Sequence, residues 1–180
     1  MAILPVLTYP HPTLKKPSQD VRDFHARLKE LVDDLFETML MNGGIGLAAP
    51  QVGENLNVFV MDVSQEDKRN PAGITHHEIC MINPKIVSAQ GEIAFEEGCL
   101  SCPDLIVTVD RYKDIIVESL DVEGHPQKHI LTDLEAVCTQ HEMDHLKGIL
   151  LVDKVSSLKR ELYSKKRVRK RKSEKDVSLL

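Results

Sequence analysis

The spacing of apolar residues changes period twice along the chain, and that change restricts the fold more than any other feature. Residues 20–41 (DVRDFHARLKELVDDLFETMLM) place apolar side chains at Val21, Phe24, Leu28, Leu31, Leu35 and Met39, the three-and-four spacing of one helix face. Asn42-Gly43-Gly44 ends that helix, because glycine supplies the left-handed conformation common at helix C-termini. Short runs rich in Val and Ile follow at 57–63, 80–88, 105–109 and 114–122, separated by Gly, Pro, Asn and Asp; they read as strands. Residues 64–75 (SQEDKRNPAGIT) have turn composition and read as a surface loop. The helical period returns at Thr132-Asp133-Leu134-Glu135, the spacing of a capping box in which Thr and Glu satisfy each other's free N–H groups. This second helix is expected to reach about Lys147, with Gly148 as its cap. A long helix, then strands, then a late helix is an α+β order; a parallel sheet would need strands and helices to alternate.

The chain of 180 residues suits one domain, and a chain of this length buries roughly 70% of its unfolded surface without disulfides or metal staples. No apolar run approaches the length of a membrane span. The N-terminus, MAILPVLTYPHPTLKKPSQD, lacks a basic start followed by a long apolar core, so no signal peptide is expected and the cytoplasm is the default. Trp is absent and aromatic residues make up 4%, which disfavours a surface that binds sugars or bases by ring stacking. Cys80, Cys99, Cys102 and Cys138 are expected to be thiols in such a chain.

The late helix carries His141-Glu142-Met143-Asp144-His145. Four residues make slightly more than one turn, so the two imidazoles share a face and can grip one cation. Leu134, Val137 and Cys138 fall on that face, so it should point inward. Glu142 sits at the edge, placed to take a proton from water rather than to bind the metal. A catalytic site of this type needs a third protein ligand and an open position. Cys99, in Glu97-Gly98-Cys99-Leu100-Ser101, is a candidate, since thiolate suits zinc or ferrous iron. The block from Gly43 to Gly53 (GGIGLAAPQVG) has the wrong glycine spacing for a phosphate loop. Its small residues allow a peptide backbone to lie alongside, and Gln51 could offer an amide N–H to a developing oxyanion.

Read in order, Gly44 to Gln51, Glu97 to Ser101 and Gln140 to His145 resemble the three motifs of the peptide deformylase family, Gly-x-Gly-x-Ala-Ala-x-Gln, Glu-Gly-Cys-Leu-Ser and Gln-His-Glu-x-x-His. The resemblance runs from the Pro-rich N-terminus to about Val155. It implies hydrolysis of the N-formyl group from the N-terminal methionine of new polypeptides, on an α+β fold with antiparallel sheets around a metal-bearing helix. By position it implies that Cys99, His141 and His145 bind the metal and that Glu142 is the acid/base, with the Gln51 side chain and the Leu100 backbone N–H as oxyanion donors. Gly44, Ile45 and Gly46 would line the substrate backbone like an added strand. Phe95, Leu134, Val137 and Cys138 would wall the methionine pocket, and Glu97 is grouped with the substrate-binding residues. Asp144 and Arg111 would brace the helix as a pair. The family's usual cellular metal is Fe²⁺, with Zn²⁺, Ni²⁺ or Co²⁺ in preparations, and a monomer is expected.

Cys102 departs from the aliphatic residue the family more often has there, and it opens an alternative. A Cys₂His₂ set of Cys99, Cys102, His141 and His145 would close the site and make it structural, a zinc module binding nucleic acid through the tail. Against this, 38 residues separate Cys102 from His141, and Glu142 and Gln51 would have no role. His76-His77 reads as an exposed loop pair.

The net charge of −5 conceals an asymmetry. Residues 156–180 hold ten Lys or Arg against three acids, a balance of +7, while the rest hold thirteen against twenty-five, or −12. Ser156 or Ser157 could cap a helix in this tail, but the apolar spacing fails and 165–172 is basic on every face. The expectation is a catalytic domain over 1–155 and a partly helical or disordered basic tail over 156–180. Some members of the family are thought to dock on the ribosome through a basic C-terminal helix, so the resemblance implies that this tail tethers the protein to ribosomal phosphates, apart from the active site.

Overall fold

In a computed structural model of the chain, which describes residues 2–63, 65–66, 74–75 and 77–177, the early apolar stripe forms helix α1 (Ala26–Met41). The helix starts six residues later than the spacing suggests. Tertiary hydrogen bonds hold the preceding segment extended: Val21 N–H donates to Asn83 Oδ1 and Asn83 Nδ2 returns a bond to Val21 O, each at 2.9 Å. Gln19 is bridged to residues 55–57 in the same way. Val21 still reaches the core, from an extended backbone.

Strands β1 (Gly46–Ala48), β2 (Val58–Asp62), β5 (Glu78–Gln90), β8 (Asp114–Leu120) and β9 (Pro126–Thr132) form one antiparallel sheet in the order β1-β2-β5-β8-β9. The pairs β3 (Gln65–Glu66) with β4 (Ile74–Thr75), and β6 (Ile93–Glu97) with β7 (Val107–Arg111), stand apart from it. Ser64, 67–73 and His76 lie outside the described residues, so most of the expected 64–75 loop is not described. Five of the described strands escape the sequence pattern, among them β3 and β4, two residues each at the ends of the stretch read as a loop. β1 has three residues, and β6 and β9 are amphipathic or polar, β9 being an edge strand with Ile130 73% exposed.

Every residue of β2 is buried because both sheet faces are covered. Val58 and Val60 pack with Leu28, Val32, Leu35 and Met39 of α1. Phe59 and Met61 face the opposite way, against Ala136, Cys138, Met143 and Leu146 of helix α2 (Asp133–Leu146). The helix thus lies against the central sheet, with β7 also in contact. It is enclosed well beyond one face, since Thr139, Gln140 and Glu142 are buried along with its apolar residues.

Thr132 is the N-cap of α2 but makes no side-chain capping bond. Glu135, expected to complete a capping box, instead meets His77 Nδ1 at 2.7 Å. His77 is therefore tied to the first turn of α2, and its backbone N–H donates to Asp62 Oδ1 at 2.9 Å. His76, its expected loop partner, is not described.

A third apolar cluster gathers Leu14, Cys102, Leu105, Val107, Val109, Leu150, Val152 and Tyr163. Tyr163 belongs to helix α3 (Ser157–Val177), so the basic tail is a helix that begins by docking. Its hold is polar as well as apolar. Arg167, 4% exposed, donates to Thr8 Oγ1 at 3.1 Å and to Tyr9 O at 3.5 Å. Tyr163 donates to Pro103 O at 2.9 Å and stacks on Tyr9. Tyr163 and Arg167 share a face, and no apolar stripe marks it because half of this contact is a guanidinium.

The end of α2 is closed by Gly148, whose φ is +71°. Its N–H reaches His145 O at 3.0 Å, and Ile149 N–H reaches Asp144 O at 2.9 Å, the paired bonds of a Schellman cap. A Cβ there would sit 2.6 Å from Lys15 O. Gly148→Ala should therefore cost about 2 kcal/mol or more through left-handed strain and overpacking. A thermal unfolding midpoint several degrees below wild type checks this; an unchanged midpoint refutes it.

Candidate active site

The three sequence blocks meet at one cavity of about 410 Å³. The turn after α1 and the start of β1 supply Gly44, Ile45 and Gly46 on one side. The end of β6 and the following loop supply Phe95, Glu97, Gly98, Cys99 and Leu100 on the other. Leu134, Val137, Cys138, His141 and Glu142 of α2 also line it, as does Gln51. A larger open groove, bordered by Gln19, Arg27, Glu30 and Asn55, lies elsewhere and holds none of these groups.

Cys99 Sγ, His141 and His145 bring ligand atoms within 4.8 Å of one another. Cys99 Sγ lies 3.2 Å from His145 Nε2, and the two imidazoles are edge to face with centroids 5.0 Å apart. His141 Nδ1 is 2.9 Å from Glu97 Oε2, a bond that keeps the proton on Nδ1 and turns Nε2 toward the other two donors. Burial holds His145 well below the usual imidazole range, so it stays neutral with a lone pair to give. A thiol and two imidazoles, converging at one point with a buried carboxylate beside them, fit a divalent metal with an open position. Cys102 does not join them. It is 1% exposed and packs among Leu14, Leu105 and Val107, so the closed Cys₂His₂ alternative has no support.

The Glu97 carboxylate is engaged by Arg111 and His141. Both oxygens receive Arg111, Nε to Oε1 at 2.7 Å and Nη2 to Oε2 at 2.9 Å. Burial opposes its charge, but the Arg111 and His141 hydrogen bonds win and pull it down to about 2. Arg111 also donates from Nη1 to Asp144 Oδ2 at 2.6 Å, and Lys154 Nζ sits 3.1 Å from the same oxygen. The expected Arg111–Asp144 pair is thus part of a longer chain of charges. That Glu97 belongs to it is hidden in the sequence, because Arg111 lies fourteen residues away, on the paired strand.

Glu142 is 3% exposed, and Oε2 has no hydrogen-bond partner among the described residues. Burial pushes this carboxyl up to about 7. A Cβ on Gly46 would collide with it and come within 2.9 Å of Cys138 Sγ, so only glycine lets β1 pass this close. Gln51 is pinned at both ends. Its Oε1 accepts Ala48 N–H at 2.8 Å, while Nε2 donates to Ser101 Oγ at 3.2 Å and lies 3.8 Å from Cys99 Sγ. That orientation aims the amide donors at the Cys99 side of the cavity. β1 is the edge of the sheet, and a free edge can hydrogen-bond an extended peptide. The geometry can therefore hold a peptide, a metal and a proton acceptor together.

The chain is similar to known proteins along nearly its whole length. The polypeptide deformylase family model matches residues 3–161. A peptide deformylase of Desulfotalea psychrophila is 44% identical over 167 residues, 92% of this chain and 95% of that protein. The crystal structure of a peptide deformylase from Legionella pneumophila superposes with a TM-score of 0.84 at 39% identity, covering 96% of this chain and 98% of the other. A Met-Ala-Ser-bound peptide deformylase from Acinetobacter baumannii has a TM-score of 0.77 at 32% identity, covering 86% and 99%. With its three motifs closing on one cavity and such relatives along nearly its whole length, the chain belongs to the polypeptide deformylase family.

Proposed function

We propose that this protein is a metal-dependent hydrolase that removes the formyl group from the N-terminal formyl-methionine of newly made polypeptides and releases formate. The observation that carries the reading is the convergence of Cys99, His141 and His145 beside the buried Glu142 carboxylate. The peptide lies along Gly44, Ile45 and Gly46 at the edge of β1, and the methionine side chain enters between Phe95, Leu134, Val137 and Cys138. A divalent metal held by the three donors supplies Lewis acidity and makes water a nucleophile near neutral pH. Ferrous iron is the proposed ion in the cell, since one thiolate with two imidazoles suits it, while Zn²⁺, Ni²⁺ or Co²⁺ fits the same donors.

Glu142 accepts the proton of the attacking water and returns it to the nitrogen of the departing methionine. The negative carbonyl oxygen is met by Gln51 Nε2 and the Leu100 backbone N–H, donors fixed before the charge develops. Glu97, oriented by Arg111, holds the His141 ring in the tautomer that keeps Nε2 free. Glu97 is therefore read as a positioning residue rather than a contact to substrate. The cavity is complete within one chain, consistent with a monomer. No helix among the described residues is long and apolar enough to cross a membrane, and the cytoplasm, where formylated chains arise, is the proposed location.

The basic helix α3 is proposed to tether the enzyme to ribosomal phosphates. Its docked turns reach Arg167, which belongs to the body, while the exposed cations, Lys165, Lys166, Arg169 and Lys170 among them, are the ones proposed to meet RNA. A chain cut at 164 would lose Ser164, which pairs with Tyr9 at 2.8 Å, and Arg167 as well.

Formate release from formyl-Met-Ala-Ser under anaerobic conditions, with metal analysis of the same sample, tests the activity; absence of turnover in metal-loaded protein overturns it. Glu142→Gln should retain the metal and lose about 10²–10⁴-fold or more in kcat; near-normal turnover at full metal occupancy contradicts its role. Glu97→Gln should weaken metal retention about 10–100-fold in a chelator competition, and unchanged retention would count against the positioning role. Removal of 171–180 should leave short-peptide turnover unchanged while weakening salt-sensitive co-sedimentation with ribosomes. Equal, salt-insensitive sedimentation of the truncated protein would show that the distal helix plays no part.

A further inference from the structure

Cys102 has no part in the reaction described above, yet it lies three residues from a residue read as a metal ligand. Its N–H donates to Cys99 O at 2.9 Å, closing a tight turn that keeps the two Cα atoms within about 7 Å. That separation falls in the range a disulfide spans. The Cys99 side chain packs against the cluster that contains Cys102. The pair is also asymmetric in access. Cys99 lines the cavity, whereas Cys102 is buried behind it. A small oxidant entering the cavity therefore meets Cys99 first. Cys138 also lines the cavity, but its thiol is directed to Ile45 O at 3.5 Å.

We propose that Cys99 and Cys102 form a reversible disulfide when a peroxide enters the cavity, so that Cys102 protects the ligand cysteine from irreversible oxidation. Cys99 sulfur attacks one peroxide oxygen, the O–O bond breaks, and a sulfenic acid and one water form. Cys102 sulfur then attacks Cys99 sulfur, the S–O bond breaks, and the Cys102 proton leaves with the hydroxide as a second water. Two thiols and one peroxide give one disulfide and two waters. Without a neighbouring thiol, the sulfenic acid is open to further oxidation to sulfinic and sulfonic acids, which ordinary thiols do not reverse. Because the proposal rests on Cys99 being a metal ligand, bond formation should also release the metal, leaving two imidazoles as donors. A thiol reductant reverses the bond by exchange.

The test treats the full-length, metal-loaded enzyme with hydrogen peroxide. Peptide mass spectrometry maps disulfides, thiol titration counts free cysteines, and a chromophoric chelator reports released metal. Wild type should show a Cys99–Cys102 link, lose two titratable thiols, release its metal, and regain full activity after thiol reductant and fresh metal. Cys102→Ile and Cys102→Val should match wild type in untreated turnover and metal content. After peroxide they should instead carry sulfinic or sulfonic acid at Cys99 and stay inactive after reduction. Over-oxidised Cys99 in wild type, a link from Cys99 to Cys138, or equal recovery in the Cys102 variants would overturn the proposal. A Cys99–Cys102 link formed with the metal still bound would support the thiol pair and remove Cys99 from the ligand set.

Discussion

The buried ion pair between Arg111 and Glu97 sets the geometry on which the site depends. Both charges are nearly out of water, at 2.7 and 2.9 Å in a two-pronged contact. Such a pair gains little over a well-packed apolar core, but removing one partner strands the other at a cost of about 3–5 kcal/mol. The pair therefore acts less as a source of stability than as a fixed point. Glu97 passes that order to His141, and Arg111 passes it to Asp144 on the next turn of α2. Strands β6 and β7 are thereby locked to the helix that carries His141 and His145.

The surroundings of α2 explain why the polar groups in it are poised as they are. The apolar face of the central sheet, with Phe59 and Met61, lies on one side of the helix, and β1 crosses near Glu142 with only a glycine between them. Burial in this part of the helix disfavours charge, so the Glu142 carboxyl is raised to about 7 and the His145 imidazole stays uncharged. Burial, rather than any special chemistry of the side chains, sets the charge states of Glu142 and His145.

The N-terminal segment and the tail meet beneath the site. Leu7 N–H bonds Gln51 O at 2.7 Å, and Tyr9 N–H bonds Ser101 O at 2.8 Å. These few residues join the loop carrying the amide donor to the loop carrying Cys99. Arg167 and Tyr163 of α3 hold the same residues from outside. The tail therefore has two parts of different character, a base built into the body and a distal basic stretch. Net charge alone does not divide it, since Arg167 counts as one more cation in either part.

The residues proposed to do the chemistry are legible in the amino-acid sequence by itself, because chemistry dictates their type and spacing. Two imidazoles four residues apart, a carboxylate next to one of them, a cysteine after a glycine, and a glutamine after small residues can be read in order along the chain. The α+β order and the stripe of α1 are legible too, since periodicity reports directly which side of an element is buried. Contacts made across the fold are not. The late start of α1 depends on Asn83, and the loss of the capping box at Thr132 leaves Glu135 to His77. The burial of α2 nearly all round, the pairing of Glu97 with Arg111, and the docking of a basic helix by Arg167 are of the same kind. Each joins residues far apart along the chain, or enlists a polar side chain that local pattern assigns to solvent. Only the packed tertiary structure, in which an unpaired buried group is costly, decides which partner it takes.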